Sequence, residues 1–546
     1  MPRHPSSLLF LGALISFAVL FAAPHAPALP PPQDGGLRFA DATAPAGLAR
    51  DVRCGVAAAA DYDRDGWPDL VMGHGDQGPL VLHNERDGTF KEIEAPLPLA
   101  SGEAFGVSWV DLDGDRWLDI LVASDVAGDS TGGERHSSFR FFRNAGGEAF
   151  APASLDPVLT NLGGRGRFAC PTDLDRDGRI DLLLMSSRSA GGVHRVARRT
   201  TDGFVDEGER SAWSLVDAAC VTAVHLDQGK DPYYIVWGGA GGDSGRVYRR
   251  DPTGLFRDVS TRLGIQPASA VNAALPGDYD NDGDLDLYYV CDGANRLYRN
   301  DETRFADVAA RAGVADAARG VAGVFADFDL DGDLDLYVVN ATTAPGSAPS
   351  RLYENRGAET FTDVTESSGM ASQPAGAAGS ALAFDYDRDG DPDLLLTGGP
   401  GSKNNSTPTC RLLRNESRCS KGLCVELQGT NSDPSCMGAR VTARVGDSVI
   451  ELERFAATGL WSTSILPLIV GLGSAGEAVL EVTWPSGHHI RKRVTAGELI
   501  EIIEPEGPPP HPLAREPKLP LKTMALATLC IAVTALVAWW LARKLR

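Results

Sequence analysis

The stretch "DFDLDGDLDLYVVN", residues 327–340, places Asp327, Asp329 and Asp331 at positions 1, 3 and 5 of a loop, Gly332 at position 6 and Asp335 at position 9. Carboxylates this close repel one another unless a cation lies between them, and a flexible, oxygen-only ligand set of this kind suits Ca²⁺. An EF-hand would need a bidentate Glu at position 12 and a helix on each side. Position 12 is Val338, and "LYVV" is β-branched and aromatic, which predicts a buried strand. The expected element is a calcium loop that runs directly into a strand.

Five more copies follow the same spacing. They are "DYDRDGWPDL" (Asp61, Asp63, Asp65, Asp69), "DLDGDRWLDI" (Asp111, Asp113, Asp115, Asp119), "DLDRDGRIDL" (Asp173, Asp175, Asp177, Asp181), "DYDNDGDLDL" (Asp278, Asp280, Asp282, Asp286) and "DYDRDGDPDL" (Asp385, Asp387, Asp389, Asp393). Each leads into a short apolar run, and these aspartates are the expected ligands of about six Ca²⁺ ions. A degenerate copy, "HLDQGKDPYYIV" from His225, keeps the strand and loses the ligands. The copies begin at 61, 111, 173, 225, 278, 327 and 385, a spacing of roughly 50–60 residues, which is the length of a propeller blade. The expected fold is all-β: a seven-bladed β-propeller with calcium loops plus a small C-terminal β-rich domain.

A second motif repeats out of phase with the first, an aromatic opening an outer strand at Phe90, Phe150, Phe204, Phe256, Phe305 and Phe361. The last aspartate loop has no such partner after it. "RFADATAPAGL" from Arg38 mirrors "RFADVAARAGV" from Arg304, so the N-terminal strand is expected to complete the last blade and close the ring, removing its open edges.

The unit "DYDNDGDLDLYYV…NRLYRN…RFADV" resembles the FG-GAP/VCBS repeat of integrin-type propellers. Residues 425–504 resemble the ASPIC/UnbV domain of cartilage acidic proteins and bacterial relatives, through "GARV" (Gly438 to Val441), "GLG" (Gly471 to Gly473) and "WPSG" (Trp484 to Gly487). The family's usual polar segment before "GARV" is altered here to "NSDPSCMGARV", and no disulfide-rich EGF-like module is present, so the arrangement resembles the shorter bacterial form.

The termini define a compartment. "LLFLGALISFAVLFAA" from Leu8, after Arg3 and before the small residues Ala26 to Ala28, has the layout of a secretory signal, giving a signal peptide over 1–28. The expected order is then a propeller over 37–418, an ASPIC/UnbV domain over 419–505 and a Pro-rich, semi-rigid stalk over 506–522. A transmembrane helix over 524–541, about 27 Å long, follows. Arg543, Lys544 and Arg546 form a positive-inside tail over 542–546, so the chain is expected to be exported and membrane-anchored, with its ectodomain outside the cytoplasm. A cleaved C-terminal sorting signal would share these features.

The formal charge is −22, and six divalent ions would bring it to −10, so much of the acidity belongs to the loops. Nucleic acid is excluded as a partner by repulsion of its phosphates. Of nine cysteines, Cys530 lies in the anchor. Cys54, Cys170, Cys220, Cys291, Cys410, Cys419, Cys424 and Cys436 fall in an exported region, and the four between 410 and 436 predict a local disulfide staple whose pairing spacing does not define. Asparagine sequons occur at Asn340, Asn404, Asn405 and Asn415.

Catalysis has no positive signal. "GGDSG" from Gly241 has no His and Asp partners that the sequence can place, and the chain has no HExxH, P-loop or strand-embedded GxGxxG. His488 and His489 are expected in an exposed hairpin turn, and Arg64, Arg176 and Arg388, at loop position 4, are expected to screen the aspartates. The Asp111 loop carries Gly114 at position 4 and Arg116 at position 6, where a non-glycine must take positive φ, so it is expected to be the weakest intact site. A loop with four carboxylates and a carbonyl nearly saturates its ion, which makes the calcium structural. The expectation is therefore a binding or adhesion module for an extracytoplasmic protein or glycan. The alternatives are an enzyme or biosynthetic accessory factor using the propeller channel, or a glycan-binding propeller using Trp67 and Trp117.

Overall fold

The computed structural model describes residues 36–507 apart from loop stretches, of which the longest are 126–136, 208–217 and 399–409. The expected signal peptide, transmembrane helix and basic tail, nearly all of the stalk, "GGDSG" up to Ser244, Cys419, Asn404 and Asn405 lie outside the described residues.

Among the described residues, seven sheets carry the same pattern of four antiparallel strands, one of them extended by a fifth strand, and these are the blades. Blade 1 runs Cys54–Ala60, Asp69–His74, Gly78–Asn84 and Phe90–Glu92, from the innermost strand to the outermost. Innermost strands are rich in small residues, "CGVAAAA" in blade 1 and "AGSALAF" in blade 7, because the blades converge there. Second strands such as Asp286–Cys291 and Asp335–Asn340 are buried along their whole length, since both faces meet neighbouring blades. Consecutive blades pack through their innermost strands, except that blade 4 meets blade 5 through its second strand, and the innermost strand of blade 7 returns to that of blade 1.

The chain closes this ring as the repeat phase requires. Phe39, Ala40 and Asp41 pair antiparallel with Asn415, Arg414 and Leu413, supplying the fourth strand of blade 7. The two sequence motifs meet across blade boundaries. Tyr62 of the first loop packs on Phe150 of blade 2 (5.1 Å), Tyr279 on Phe361 of blade 6 (5.9 Å), and Phe328 on Phe39 of blade 7 (5.3 Å). The outer-strand aromatic thus anchors each of these blades to the aspartate loop before it.

The second domain, Gly422–Gln428 through Leu499–Ile503, is a pair of sheets enclosing a core that contains Val425, Val441, Leu480, Val482 and Trp484. It sits on the loop face of the propeller. Its segment Ser462–Thr463 pairs in parallel with Val107 and Ser108 of the innermost strand of blade 2. Ile465 donates its N–H to the Ala59 carbonyl of blade 1 (2.9 Å), and the Ser464 hydroxyl accepts the Ala59 N–H (3.1 Å). The free inner edges of two blades are covered in this way.

The expected disulfide staple finds no support among the described residues, and Cys419, one of its four cysteines, lies outside them. Among the described residues no disulfide forms: Cys54, Cys170, Cys220, Cys291, Cys410 and Cys436 are buried thiols and Cys424 is a half-buried one. Cys410 lies on a blade 7 strand and Cys424 and Cys436 in the second domain, with Cys410 and Cys436 packed as small hydrophobes. Two sequons are also structural. Asn340 and Asn415 are buried, and their side-chain amides are spent on Asp316 and Pro349 and on Phe328 and Pro392 respectively.

Candidate metal centre

Each intact loop is organised by its own carboxylates before any ion is considered. The position-1 aspartate accepts the position-6 N–H, as at Asp61 with Gly66 (2.8 Å), Asp327 with Gly332 (2.9 Å) and Asp385 with Gly390 (3.0 Å). The position-5 aspartate accepts the position-7 N–H, as at Asp65 with Trp67 (2.8 Å). These bonds curl the backbone tightly enough that positions 4 and 6 both enter the left-handed region. Position 4 has φ between 55° and 61° at Arg64, Arg176, Asn281, Leu330 and Arg388. In the Asp111 loop Arg116 takes φ 75° at position 6, the strained conformation its spacing predicts.

Position 9 is a clamp as well as a ligand candidate. Asp69, Asp119, Asp181, Asp286, Asp335 and Asp393 are fully buried. One oxygen of each accepts a third-strand N–H, as Asp335 does from Asn355 (2.9 Å), and the other accepts the position-2 N–H, as Asp335 does from Phe328 (3.0 Å). The clusters Asp61, Asp63 and Asp65, Asp111, Asp113 and Asp115, Asp173, Asp175 and Asp181, and Asp278, Asp280 and Asp282 each bring three carboxylate oxygens within 4.8 Å of one another. The remaining ligand candidates, Asp177, Asp329, Asp331, Asp387 and Asp389, occupy the equivalent loop positions.

The carboxylates of each loop are crowded and partly desolvated, with surface guanidiniums such as Arg86 on Asp65 (2.7 Å) beside them. Burial, helped by the neighbouring aspartates, pushes Asp69 up to about 8 and Asp61, Asp119, Asp181 and Asp385 up to about 7. Asp278, Asp327, Asp335 and Asp393 are pushed well above the carboxylate range for the same reason. In addition, Asp280 Oδ1 and Asp387 Oδ1, both at position 3, are buried with no hydrogen-bond partner. Buried carboxylate oxygens without a donor call for a cation, so this donor set fits Ca²⁺.

The loops differ in what lies above them. Arg143 places its guanidinium on Asp113 (2.6 Å) and Asp115 (2.9 Å) of the Asp111 loop, where it competes with an ion. His83 Nδ1 lies 3.2 Å from Asp69 and 3.5 Å from Asp63. In the degenerate loop Asp227 holds the Tyr233 hydroxyl (2.7 Å) and lies 3.4 Å from Arg249, so a guanidinium stands beside the one carboxylate left at a ligand position.

The position-4 arginines do something other than screen their own aspartates, because the left-handed turn aims them along the ring. Arg64 lies 4.1 Å over the Trp117 ring of the next loop, Arg388 lies 5.9 Å over Trp67, and Arg176 pairs with Asp231 (2.9 Å). Trp67 and Trp117 are half-buried beneath these guanidiniums.

One recurring site was not read from the sequence. The third-strand residue Asn84, Asn144, Asn300, Asn355 or Asn415 is buried and donates its amide to two carbonyls, one in its own loop and one at position 2 of the preceding loop. For Asn355 these are Leu334 (3.3 Å) and Tyr279 (2.8 Å). In blades 3 and 4 arginines do the same work: Arg199 reaches the Leu112 carbonyl and Arg250 the Leu174 carbonyl (3.2 Å). The available signal was the Asn or Arg that precedes each acidic turn, in "HNERDG", "RNAGGE" and "ENRGAE".

The second domain meets the loops through its own motifs. The Glu451 N–H donates to Asp278 Oδ2 (2.8 Å), and the Gly473 N–H donates to the Leu330 carbonyl (3.0 Å). Glu453 accepts both the backbone N–H (3.0 Å) and, at 2.8 Å, Nδ1 of His225 in the degenerate loop. A Cβ on Gly471 would stand 1.8 Å from Asp327 Oδ2, which explains the glycine in "GLG". "WPSG" is a turn, as expected, but His488 is buried rather than exposed. It faces the Ser486 hydroxyl (3.0 Å) and Glu504 (3.2 Å), and the Glu504 carboxylate collects the N–H groups of Thr430, Asn431 and Ser432. His489 is exposed.

This geometry is that of an FG-GAP propeller roofed by a second β domain, and the comparisons agree. The FG-GAP-like repeat family matches residues 33–122, 278–338 and 339–396, and the ASPIC and UnbV family matches residues 429–509. The chain carries FG-GAP-like repeats followed by an ASPIC/UnbV domain. It is similar to cartilage acidic protein 1 of Homo sapiens, 28% identical over 256 residues that cover 44% of this chain and 35% of that protein. Its similarity to the Mus musculus protein of the same name is 26% over 258 residues, 44% of this chain and 37% of that protein. The chain thus spans about a third of the length of the curated relatives it matches. An Agrocybe aegerita lectin that recognises non-reducing terminal N-acetylglucosamine overlaps 67% of this chain and all of its own, at 14% identity and a TM-score of 0.39, too low to carry an argument.

Proposed function

We propose that the chain is an exported, membrane-tethered, calcium-stabilised module that binds an extracytoplasmic protein or glycan rather than catalysing a reaction. The observation that carries the calcium reading is the pair of buried, partnerless carboxylate oxygens, Asp280 Oδ1 and Asp387 Oδ1, in loops whose other carboxylates are already ordered by backbone N–H groups. Calcium would supply positive charge inside these loops, with positions 1, 3, 5 and 9 holding it. The chain's own contribution is preorganisation: the curled backbone holds the carboxylates together, and the ring of asparagines and arginines ties each loop to the one before it.

The repeat architecture and the ASPIC/UnbV domain support the binding reading, and the basic segment after residues 524–541 supports the tether. Among the described residues no helix is long and apolar enough to cross a membrane, and residues 524–541 lie outside them. The test is to probe glycan arrays and arrays of cell-envelope proteins with the calcium-loaded chain. Saturable retention that EGTA abolishes is expected, and no retention on either array would overturn the binding reading.

A further inference from the structure

Where the second domain covers the loop face it does not fill the space below it. A cavity of about 650 Å³ remains between the loop end of the central channel and the underside of the second domain. Its propeller wall includes Phe325 and Trp67, and its roof includes Leu468, Glu426 and Arg454. Its size and largely apolar walls are those of a small-molecule site, and its charged groups lie at the aspartate loops and in the roof.

Arg454 is the informative residue. It is 5% exposed, and its guanidinium donates to two main-chain carbonyls, Ser435 (3.1 Å) and Leu466 (2.9 Å), both within the second domain. Its Nε has no partner, and among the described residues it forms no ion pair with a carboxylate. A buried cation held only by carbonyl dipoles is costly unless something anionic joins it. Glu426, half-buried in the same roof, exerts an electrostatic pull on Arg454 without pairing with it. Arg454 and Glu426 thus line the cavity with no ion pair between them among the described residues.

We propose that this cavity binds a small hydroxy- or amino-carboxylate, with its carboxylate on Arg454, its hydroxyl or ammonium donors toward Glu426, and its body against Phe325 and Leu468. A guanidinium and a carboxylate form the strongest of the charge-assisted pairs, and a ligand carrying both a carboxylate and donors matches both groups at once. A sugar acid and an amino acid share this chemistry. The inference goes beyond the macromolecular binding proposed above and does not depend on it.

The test is calorimetric titration of the full, calcium-loaded chain with D-glucuronate and with L-phenylalanine, each beside its counterpart lacking the carboxylate, D-glucose and L-phenylalaninol. One of the two acids is expected to bind saturably, at least about tenfold tighter than its counterpart, a difference of about 1.4 kcal/mol. Which acid binds identifies the source. Arg454→Met should abolish the binding. Glu426→Gln, which removes the donor-seeking carboxylate and leaves the two carbonyl contacts of Arg454 intact, should weaken it several-fold with the bound calcium count unchanged. Saturable binding of neither acid at millimolar concentration, equal binding of the counterpart, or binding that survives Glu426→Gln undiminished would overturn the proposal.

Discussion

Asn355 illustrates how much of this ring depends on single polar side chains. Its amide is fully buried and holds two carbonyls from consecutive blades, so Asn355→Ala leaves Tyr279 and Leu334 carbonyls unpaired in a dry environment. A loss of about 2–4 kcal/mol is expected, read as a lowered midpoint in chemical unfolding. A shift within about 0.5 kcal/mol, typical of a surface change, would mean that the blade-to-blade stitch is redundant. Glu504 makes a second residue-scale case. Burial works against its charge, yet the Ser486 hydroxyl and the N–H groups of Ser432, Thr430 and Asn431 hold its carboxyl below the ordinary value. A depressed carboxylate stabilises the fold above its unfolded pKa and loses that contribution as pH falls through the folded one. Glu504→Gln should therefore cost about 2 kcal/mol or more near neutral pH, and the gap from wild type should narrow below about pH 4.5. A gap that stays constant with pH would refute the assignment.

At the scale of the element, the loops are not equivalent. The Asp111 loop combines a strained Arg116 with the Arg143 guanidinium seated on Asp113 and Asp115, so an ion entering it would have to displace a cation already in place. Arg143→Gln should raise calcium occupancy at this loop, seen as a later-filling ion in native mass spectrometry that fills earlier in the variant. No change in the filling order would show that Arg143 does not compete. The "GLG" turn is the corresponding element of the second domain. Gly471→Ala would drive a methyl into Asp327 Oδ2 and should lift the turn off its loop, raising the protease sensitivity of the residues after Gln428. Unchanged cleavage would mean the turn adapts without losing its seat.

For the molecule as a whole, the propeller was legible because its signals are local and repeated: four aspartates at fixed spacing, an apolar strand after them and an aromatic out of phase. Even ring closure by Phe39, Ala40 and Asp41 follows from counting motifs. What the sequence did not disclose is set by contacts between distant residues. Nothing near Gly471 announces that Asp327 will lie against it, and nothing near Ser464 announces Ala59. The clustered cysteines are separated for the same reason: Cys410 and Cys424, close in sequence, stand on strands of different domains. The arginines at position 4 were read as neighbours of their own aspartates, whereas the left-handed backbone turns them toward the next blade.

The central claim is that aspartate loops hold this ring through calcium, and it is tested most directly by thermal unfolding of the full chain in calcium and in EGTA, with bound ions counted by native mass spectrometry. Ligand that binds only the folded state raises stability with its concentration, so about six ions and a large fall in Tm in EGTA are predicted. No bound calcium and an unchanged Tm would contradict the account.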